Sequence, residues 1–293
     1  MKIDLHAHSI RSDGKDSPTE VFEHAAAAGV EVLALTDHDT TSGWTEAAEA
    51  ASRLGMTFVP GIEVTTRSEV WANNRRRFIS VHLLAYLPDP NNEKLQSAMS
   101  QTLNFRENRA KLMVERLAED FPITWDLVLA QLAEGATIGR PAIADAMVEL
   151  GFGQSRSEVF RGPLHKDSKY YVSTETLDFF DAIGLVRDAG GVPVIAHPLG
   201  GAPEHLERGD LPEEHFEAAI EAGLAGFEVF HREVPQVARE WLLGLAQKHD
   251  LIVTGSSDYH GEHGKPNRLG ENTTAPEMYQ RIVETASGSK PLN

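Results

Sequence analysis

Five times along this chain a short apolar run ends in a histidine or a carboxylate, and no other feature constrains the fold as tightly. The runs are Ile3-Asp4-Leu5 leading to His6 and His8, Val32–Thr36 leading to Asp37-His38-Asp39, and Phe58–Val64, which carries Glu63. Val192–Ala196 then leads to His197, and Leu251–Gly255 leads through two serines to Asp258 and His260. One such terminus is ordinary. A carboxylate at the end of an apolar strand is costly unless it is paired or bound to a metal, so five of them imply that the strand ends share one polar centre. Residues two apart on an extended strand point to the same face, which pairs His6 with His8. Asp13, in the loop Ser12-Asp13-Gly14, can fold back toward them. Imidazoles and carboxylates in this pattern form a divalent-metal donor set.

Between the runs the pattern is helical. Ser17-Pro18-Thr19-Glu20 has capping-box shape with Pro at the first helical position, and Gly55 stops a second helix from about Ser42. Strand–helix alternation predicts an α/β fold, and seven such units predict a closed or nearly closed barrel with its site at the C-terminal strand ends. His82 is the exception, since it lies inside the apolar strand Phe78–Leu87. From 89 to 170 the grammar changes. A long helix is expected over Asn92–Phe121, with shorter ones over Trp125–Ala133 and Pro141–Leu150. The predicted organisation is a barrel domain of 1–88 and 171–293 interrupted by a helical insertion of 89–170. Thr174–Ala189 reads as helix, Asn73–Arg77 as a basic hairpin tip, Asp210–Glu213 as a helix cap, and the terminal SGSKPLN as a frayed tail. Of the remaining histidines, His24, His215 and His249 fall on helices and His165, His205 and His263 in polar loops. His231 follows a strand, with surface placement expected.

The 293 residues contain no cysteine, so any metal must be held by nitrogen and oxygen, and no disulfide framework exists. No apolar run reaches the roughly 18 residues that span a bilayer. The start MKIDLHAHS lacks the apolar region of a secretory signal, so a cytoplasmic enzyme is the expectation. With 27 basic and 44 acidic residues, net −17, the chain is a poor partner for duplex nucleic acid, which is bound largely through its phosphates. A small polyanion at a locally positive site remains compatible with that charge.

The motifs Asp4-Leu-His6-Ala-His8-Ser, Ser12-Asp13-Gly14, Thr36-Asp37-His38-Asp39, Gly61-Ile-Glu63, Ala196-His197-Pro198 and Ser257-Asp258-Tyr259-His260 span nearly the whole chain. In that order they resemble the polymerase-and-histidinol-phosphatase (PHP) family, metal-dependent phosphoesterases on a distorted (β/α)7 barrel. The resemblance implies three divalent ions: one on His6, His8, Glu63 and Asp258, a second on Asp13, His38 and His260, and a third on Glu63, His82 and His197. Mn2+ is the expected ion, with Fe2+ or Zn2+ as alternatives. The implied reaction is attack of a metal-bridging hydroxide on a phosphate monoester, with Asp37 and His231 as candidate proton donors.

The insertion and Gly139-Arg140-Pro141 resemble the branch that acts on nucleotide 3′-phosphates and oligonucleotide ends, although Ala142 stands where that branch often has histidine. A 3′,5′-bisphosphate needs cations for its second phosphate. Arg106 and Arg109, three apart on one helix, and Arg140 are the candidates. The rival readings are an amidohydrolase-type C–N hydrolase, a histidinol-phosphate-type phosphatase and a non-catalytic metal-binding PHP domain. Against the first, the strand ISVHLLAYL lacks a bridging lysine.

Overall fold

Short apolar strands separated by amphipathic helices pair in parallel, and the sheet departs from that rule only around one long hairpin. The computed structural model describes residues 1–72, 75–132, 136–173, 176–200, 212–262 and 264–293. Asn73 and Asn74 of the expected hairpin tip, Ala133, Thr174, His205, the cap residues Asp210 and Leu211, and His263 lie outside the described residues. The first half runs β1 (Ile3–Asp4), α1 (Pro18–Ala27), β2 (Val32–Leu35), α2 (Trp44–Leu54), β3 (Thr57–Ala72) and β4 (Arg75–Tyr86). Four helices follow: α3 (Glu93–Leu117), α4 (Trp125–Leu129), α5 (Arg140–Glu149) and α6 (Arg156–Arg161). Then come β5 (Leu177–Asp178), α7 (Phe179–Asp188), β6 (Val192–Ile195), α8 (Glu213–Glu221), β7 (Gly226–Phe230), α9 (Gln236–Lys248), β8 (Ile252–Gly255) and α10 (Pro276–Thr285).

The strands lie in the order β1-β2-β3-β4-β6-β7-β8, with β5 paired to β3 off this path. The ring all but closes between its ends. Ala7 and Tyr259 form a parallel bridge, and the Ser257 N–H donates to Asp4 Oδ1 at 2.9 Å. The architecture is thus the expected distorted seven-stranded barrel. Its interior is filled from successive strands by Ile3, Val32, Val59, Leu84, Val194 and Ile252, and Ile282 of α10 joins them. A second layer packs α7 and α9 against the outside of β3, β4, β6 and β7.

Three expectations change. β3 does not stop at Val64 but continues to Ala72, and β4 begins at Arg75, so Arg75–Arg77 are strand in an antiparallel hairpin with β3. Thr66, Ser68 and Val70 are buried while Glu69 and Trp71 are exposed, and this period-two alternation in mostly polar residues hid the strand. Helix α7 begins only at Phe179, because Asp178 accepts hydrogen bonds from the N–H groups of Phe180 and Asp181. That cap leaves Leu177 and Asp178 to pair with Thr66 and Arg67. The terminal segment is tied down, not frayed: Leu292 and Phe58 exchange both backbone hydrogen bonds, at 2.8 and 2.9 Å.

The intervening helices carry an apolar cluster of their own, built from Met113, Leu117, Ile143, Met147, Val159 and Leu164. Ala142 belongs to this cluster at 4% exposure, so a position expected to bear histidine is used for packing. Ionic contacts fasten the helices over the β1–α1 loop. Asp145 receives Lys15 Nζ and Arg156 Nε, each at 2.6 Å, and Arg156 Nη1 donates to the Asp13 carbonyl at 3.2 Å. No helix among the described residues is long and apolar enough to cross a membrane.

Candidate metal centre

The strand ends deliver the expected side chains to one place. His6, His8, Glu63 and Asp258 bring one ligand atom each within 4.8 Å of one another, all four buried. His8, Asp13 and His260 form a second such group, and His38, Glu63 and His82 a third. The first grouping matches the expectation; the other two are partitioned differently, with His38 nearer Glu63 than Asp13. His197 also reaches the hub, its Nε2 3.3 Å from Glu63 Oε1. His82 is reached from mid-strand because β4 runs antiparallel to its neighbours, with His82 opposite Thr65, so the interior of this strand, not its C-terminal end, faces the site.

Protons decide what the cluster can hold. Ser12 Oγ donates to Asp37 Oδ1 at 2.6 Å, so toward His8 Nδ1, 3.4 Å away, it can only accept. His6 Nδ1 donates to Glu228 Oε1 at 3.0 Å. Both rings, when neutral, therefore turn unprotonated Nε2 atoms toward each other at 3.0 Å and toward Glu63 Oε2 at 3.1 and 2.9 Å. His260 repeats the arrangement: its Nδ1 donates to the Asp258 carbonyl at 2.9 Å, and its bare Nε2 faces Asp13 Oδ1 at 3.2 Å. Lone pairs converging without a hydrogen between them repel unless a cation sits among them. Asp13 Oδ1 and His38 Nδ1 are in addition buried without a hydrogen-bond partner. The residues present fit divalent metal, and the supporting carboxylate behind His6 is a usual companion of a ligating histidine.

The electrostatics agree. Burial opposes charge on His6, but Glu228, Glu63 and Asp258 outweigh it and hold its pKa well above the ordinary value. Glu63 stays ionised against burial because histidines surround it, with His6 the one held protonated, and Asp258 chiefly because of Lys265. His38 is kept neutral, chiefly by burial, which leaves it available as a ligand. Asp39, His197 and Asp258 adopt left-handed backbone, with φ of 54°, 31° and 52°, a conformation sparsely populated by non-glycine residues and often found at functional sites.

One consequence can be measured on chelated protein. Burial pulls the His8 pKa down, but bonds to Asp258 and Glu63 raise it from 6.5 to about 9. The folded state then binds a proton that the unfolded chain lacks between those values. This stabilisation is fully present below pH 6.5, is worth on the order of 3 kcal/mol, and is lost as pH rises through 9. The melting temperature of the chelated protein is expected to fall from pH 6.5 to 9. A flat profile would show that His8 holds no such proton.

The proton donors named from sequence are placed differently. Asp37 lies behind the cluster, accepting from Ser9 N, Ser9 Oγ and Ser12 Oγ at 2.8, 2.7 and 2.6 Å; it shapes the β1–α1 loop and does not line the cavity. His231 is fully buried, not superficial, with Nε2 3.4 Å from Asp258 Oδ2. Since its Nδ1 accepts from the Glu233 N–H at 3.1 Å, the neutral ring carries its hydrogen on Nε2, toward Asp258. Three contributors escaped the sequence reading. Glu228, in the run Gly226–Phe230, showed the same grammar as Glu63 and could have been found. Asp4 accepts from Ser257 and Gly270, and burial pushes its pKa up to about 6 against those bonds. Lys265, 2.7 Å from Asp258, had no signal in its polar loop.

A cavity of about 490 Å³ opens beside the cluster, lined by Asp13, His38 and His82 and by Arg106, Arg109 and Arg140. Arg106 is partly committed, since Nη1 meets Asp39 Oδ2 at 2.9 Å and Thr65 Oγ1 at 3.1 Å. Its guanidinium lies so close to Gly139 that a Cβ there would approach Nη2 to 2.9 Å. Arg109 donates to the Val172 carbonyl at 2.7 Å and stacks on Tyr171, while Arg140 stacks on Phe160 and Tyr171. Among the described residues neither has a carboxylate partner. Burial, then the Arg140 charge, lowers the Arg109 pKa to about 10.

Comparison with known proteins gives the same picture. The PHP domain matches residues 4–131. Phosphoribosyl 1,2-cyclic phosphate 1,2-diphosphodiesterase of Eggerthella lenta is 31% identical over 274 residues, covering 92% of this chain and 98% of that protein. The 3′,5′-nucleoside bisphosphate phosphatase of Chromobacterium violaceum is 33% identical, covering 90% and 89%. A 5′-3′ exoribonuclease of Haemophilus influenzae is 34% identical, covering 88% and 90%. A crystal structure from Bifidobacterium adolescentis, described as a metal-dependent phosphoesterase, superposes with TM-score 0.88 at 43% identity, covering 97% and 96%.

Proposed function

Because this chain belongs to the PHP family of metal-dependent phosphoesterases, we propose that it removes the 3′-phosphate of nucleoside 3′,5′-bisphosphates, such as 3′,5′-adenosine bisphosphate, leaving the 5′-monophosphate. The observation that carries this reading is the single cavity that joins the metal-ligand cluster to three arginines. Its volume suits a nucleotide. A monoester with one phosphate would leave Arg109 and Arg140 without an anion, at a cost their lowered pKa values already register. The C. violaceum relative bears this activity in its name.

In this reading His6, His8, Glu63 and Asp258 hold one divalent ion, Asp13, His38 and His260 a second, and Glu63 with His82 and His197 a third. Mn2+ is favoured for the nitrogen–oxygen donor set, with Fe2+ or Zn2+ as alternatives. When bound, the ions supply Lewis acidity toward the phosphoryl oxygens and lower the pKa of water toward 7. The chain's own residues do the rest. Glu228 and Ser12 fix the tautomers of His6 and His8, and Lys265 and His231 orient Asp258. Arg109 and Arg140 clamp the second phosphate through planar donors suited to bidentate contact. Residues 89–170 act as a cap that excludes water, fastened to the barrel through Asp39–Arg106 and Lys15–Asp145.

The test is phosphate release by the Mn2+-loaded protein from histidinol phosphate, nucleoside monophosphates, 3′,5′-bisphosphates and a diester. A 3′,5′-bisphosphate is expected to give the highest kcat/KM, and preference for histidinol phosphate would overturn the reading. Arg140→Ala is expected to raise KM for the bisphosphate about ten- to a hundredfold, as roughly 1.5–3 kcal/mol of charged hydrogen bonding is lost. A nucleoside 3′-monophosphate should be almost unaffected. Equal losses on both substrates would place Arg140 at the reaction centre or in the scaffold.

A further inference from the structure

The face of the sheet that presents Glu63 and His82 does not end at the cavity. In the β3–β4 ladder Thr65 pairs with His82, Arg67 with Ser80, Glu69 with Phe78 and Trp71 with Arg76. Residues directly opposite, and residues two apart, share a face. One continuous face therefore runs from Glu63 outward to Trp71, eight residues or about 26 Å. Exposure rises along it until Phe78 and Trp71 are 55% and 69% accessible. The other face stays buried, with Val70 and Val81 in the same cluster as Phe179, so the arm is held by packing and not merely by its ladder.

The chemistry of the exposed face is specific. Its two large apolar groups, Phe78 and Trp71, are both aromatic, and guanidinium groups lie against the first of them. Arg67 sits 4.8 Å and Arg76 5.4 Å from the centre of the Phe78 ring. Glu69, paired with Arg76, is the one acidic side chain among them. Arg67 and Phe78 also line the cavity, so the face continues the wall that holds Arg106, Arg109 and Arg140. Aromatic rings interleaved with arginine on an open sheet form the surface on which successive bases stack while phosphates are matched by cations. In a chain of net −17, a cation-bearing, aromatic surface leading out of the cavity suits a polyanion that carries stackable rings.

We propose that the outer face of the β3–β4 arm is a track for single-stranded nucleic acid, holding the two or three nucleotides that adjoin the terminal one in the cavity. This rests on the nucleotide reading above and extends it from mononucleotides to oligonucleotides. Trp71 supplies the outermost stacking surface and lies beyond the space a mononucleotide occupies.

The experiment compares the Mn2+-loaded protein with its Trp71→Ala and Trp71→Phe variants. It measures hydrolysis of a 3′,5′-bisphosphate and of a five-residue oligouridylate, together with the fluorescence anisotropy of the labelled oligouridylate. Trp71→Ala is expected to weaken binding and kcat/KM for the pentanucleotide about five- to a hundredfold, the range of one lost base–aromatic stack. Trp71→Phe should recover most of it, and the bisphosphate should stay within about twofold. Arg76→Ala, read in the same assays, should lower pentanucleotide affinity and flatten its salt dependence. If bisphosphate is hydrolysed but Trp71→Ala binds the pentanucleotide as well as the parent, the track is wrong and the phosphatase reading stands. If no nucleotide is hydrolysed while pentanucleotide binding still depends on Trp71, the phosphatase reading falls alone. Equal losses on both substrates, or a dimer that Trp71→Ala dissolves without touching oligonucleotide binding, would overturn the track.

Discussion

Dialysis against a strong chelator is expected to drop phosphate release below about one-thousandth of the loaded enzyme, roughly 4 kcal/mol of barrier, and added Mn2+ to restore it. The physical ground is the proton count in the cluster. With Nδ1 of His6 and of His260 committed to Glu228 and to the Asp258 carbonyl, the neutral rings that a metal requires turn Nε2 lone pairs inward and have nothing to donate there. Around them stand Glu63, Asp13 and Asp258, all held ionised against burial. Nothing in that assembly can activate water or neutralise a phosphate dianion without cations, because its own field is negative. The same field makes the site a strong metal trap, so removal calls for prolonged chelation with elemental analysis of the product. Turnover at the loaded rate by protein verified metal-free would sink the mechanism.

The second large effect concerns Glu63. Its Oε1 faces His82 at 2.7 Å and His197 at 3.3 Å, while Oε2 faces His6, His8 and His38 at 3.1, 2.9 and 3.4 Å. Asp258 also meets histidines on both oxygens, but its Oδ2 faces one ring, His231, beside Lys265, whereas each Glu63 oxygen faces at least two. Glu63→Gln keeps the shape, removes the charge and places an amide NH2 against bare nitrogens. We expect kcat/KM to fall by more than a thousandfold, exceeding the ten- to hundredfold typical of a residue behind the ligands. His82→Asn, at one partly exposed corner, should cost about ten- to a hundredfold. Both variants should remain folded, since the apolar packing of β3 and β4 rests on other positions, such as Val59, Ile62, Leu83 and Leu84. Normal turnover and full metal content in His82→Asn would remove that residue from the ligand set.

Much of this was legible in the sequence because barrel and site share one grammar. An apolar strand with a polar terminus specifies a βα unit and a ligand in the same five or six letters, and His6, His8, Glu63, His197, Asp258 and His260 were read from it. Glu228, inside Gly-Phe-Glu-Val-Phe, obeys the same grammar as Glu63 and is legible in the same way. What was lost was lost for two reasons. Polar strands, such as Thr65–Ala72, have a period of two but little hydrophobic contrast, so their length was invisible. Long-range partners such as Lys265 with Asp258, or Arg106 with Asp39, depend on how loops meet, which no local pattern encodes. Asp37 stands in a motif among ligands, and its three hydrogen bonds tie it to the loop it supports, a partnership that no local pattern encodes.

The closure of the ring between β1 and β8 has a consequence for how the protein comes into being. Asp4 and the Ser257 N–H, 253 positions apart, meet at the seam, and the first metal group takes two histidines from one edge and an aspartate from the other. At synthesis rates of about 5–20 residues per second, the first ligands wait roughly 13–50 s for the last. Throughout that interval β1 is an edge without its neighbour, and half a metal site is exposed to whatever ion the cell offers. The barrel and two of the three ligand groups are then completed by one late event, the arrival of β8 and the turn behind it, whereas His38, Glu63 and His82 all lie early in the chain.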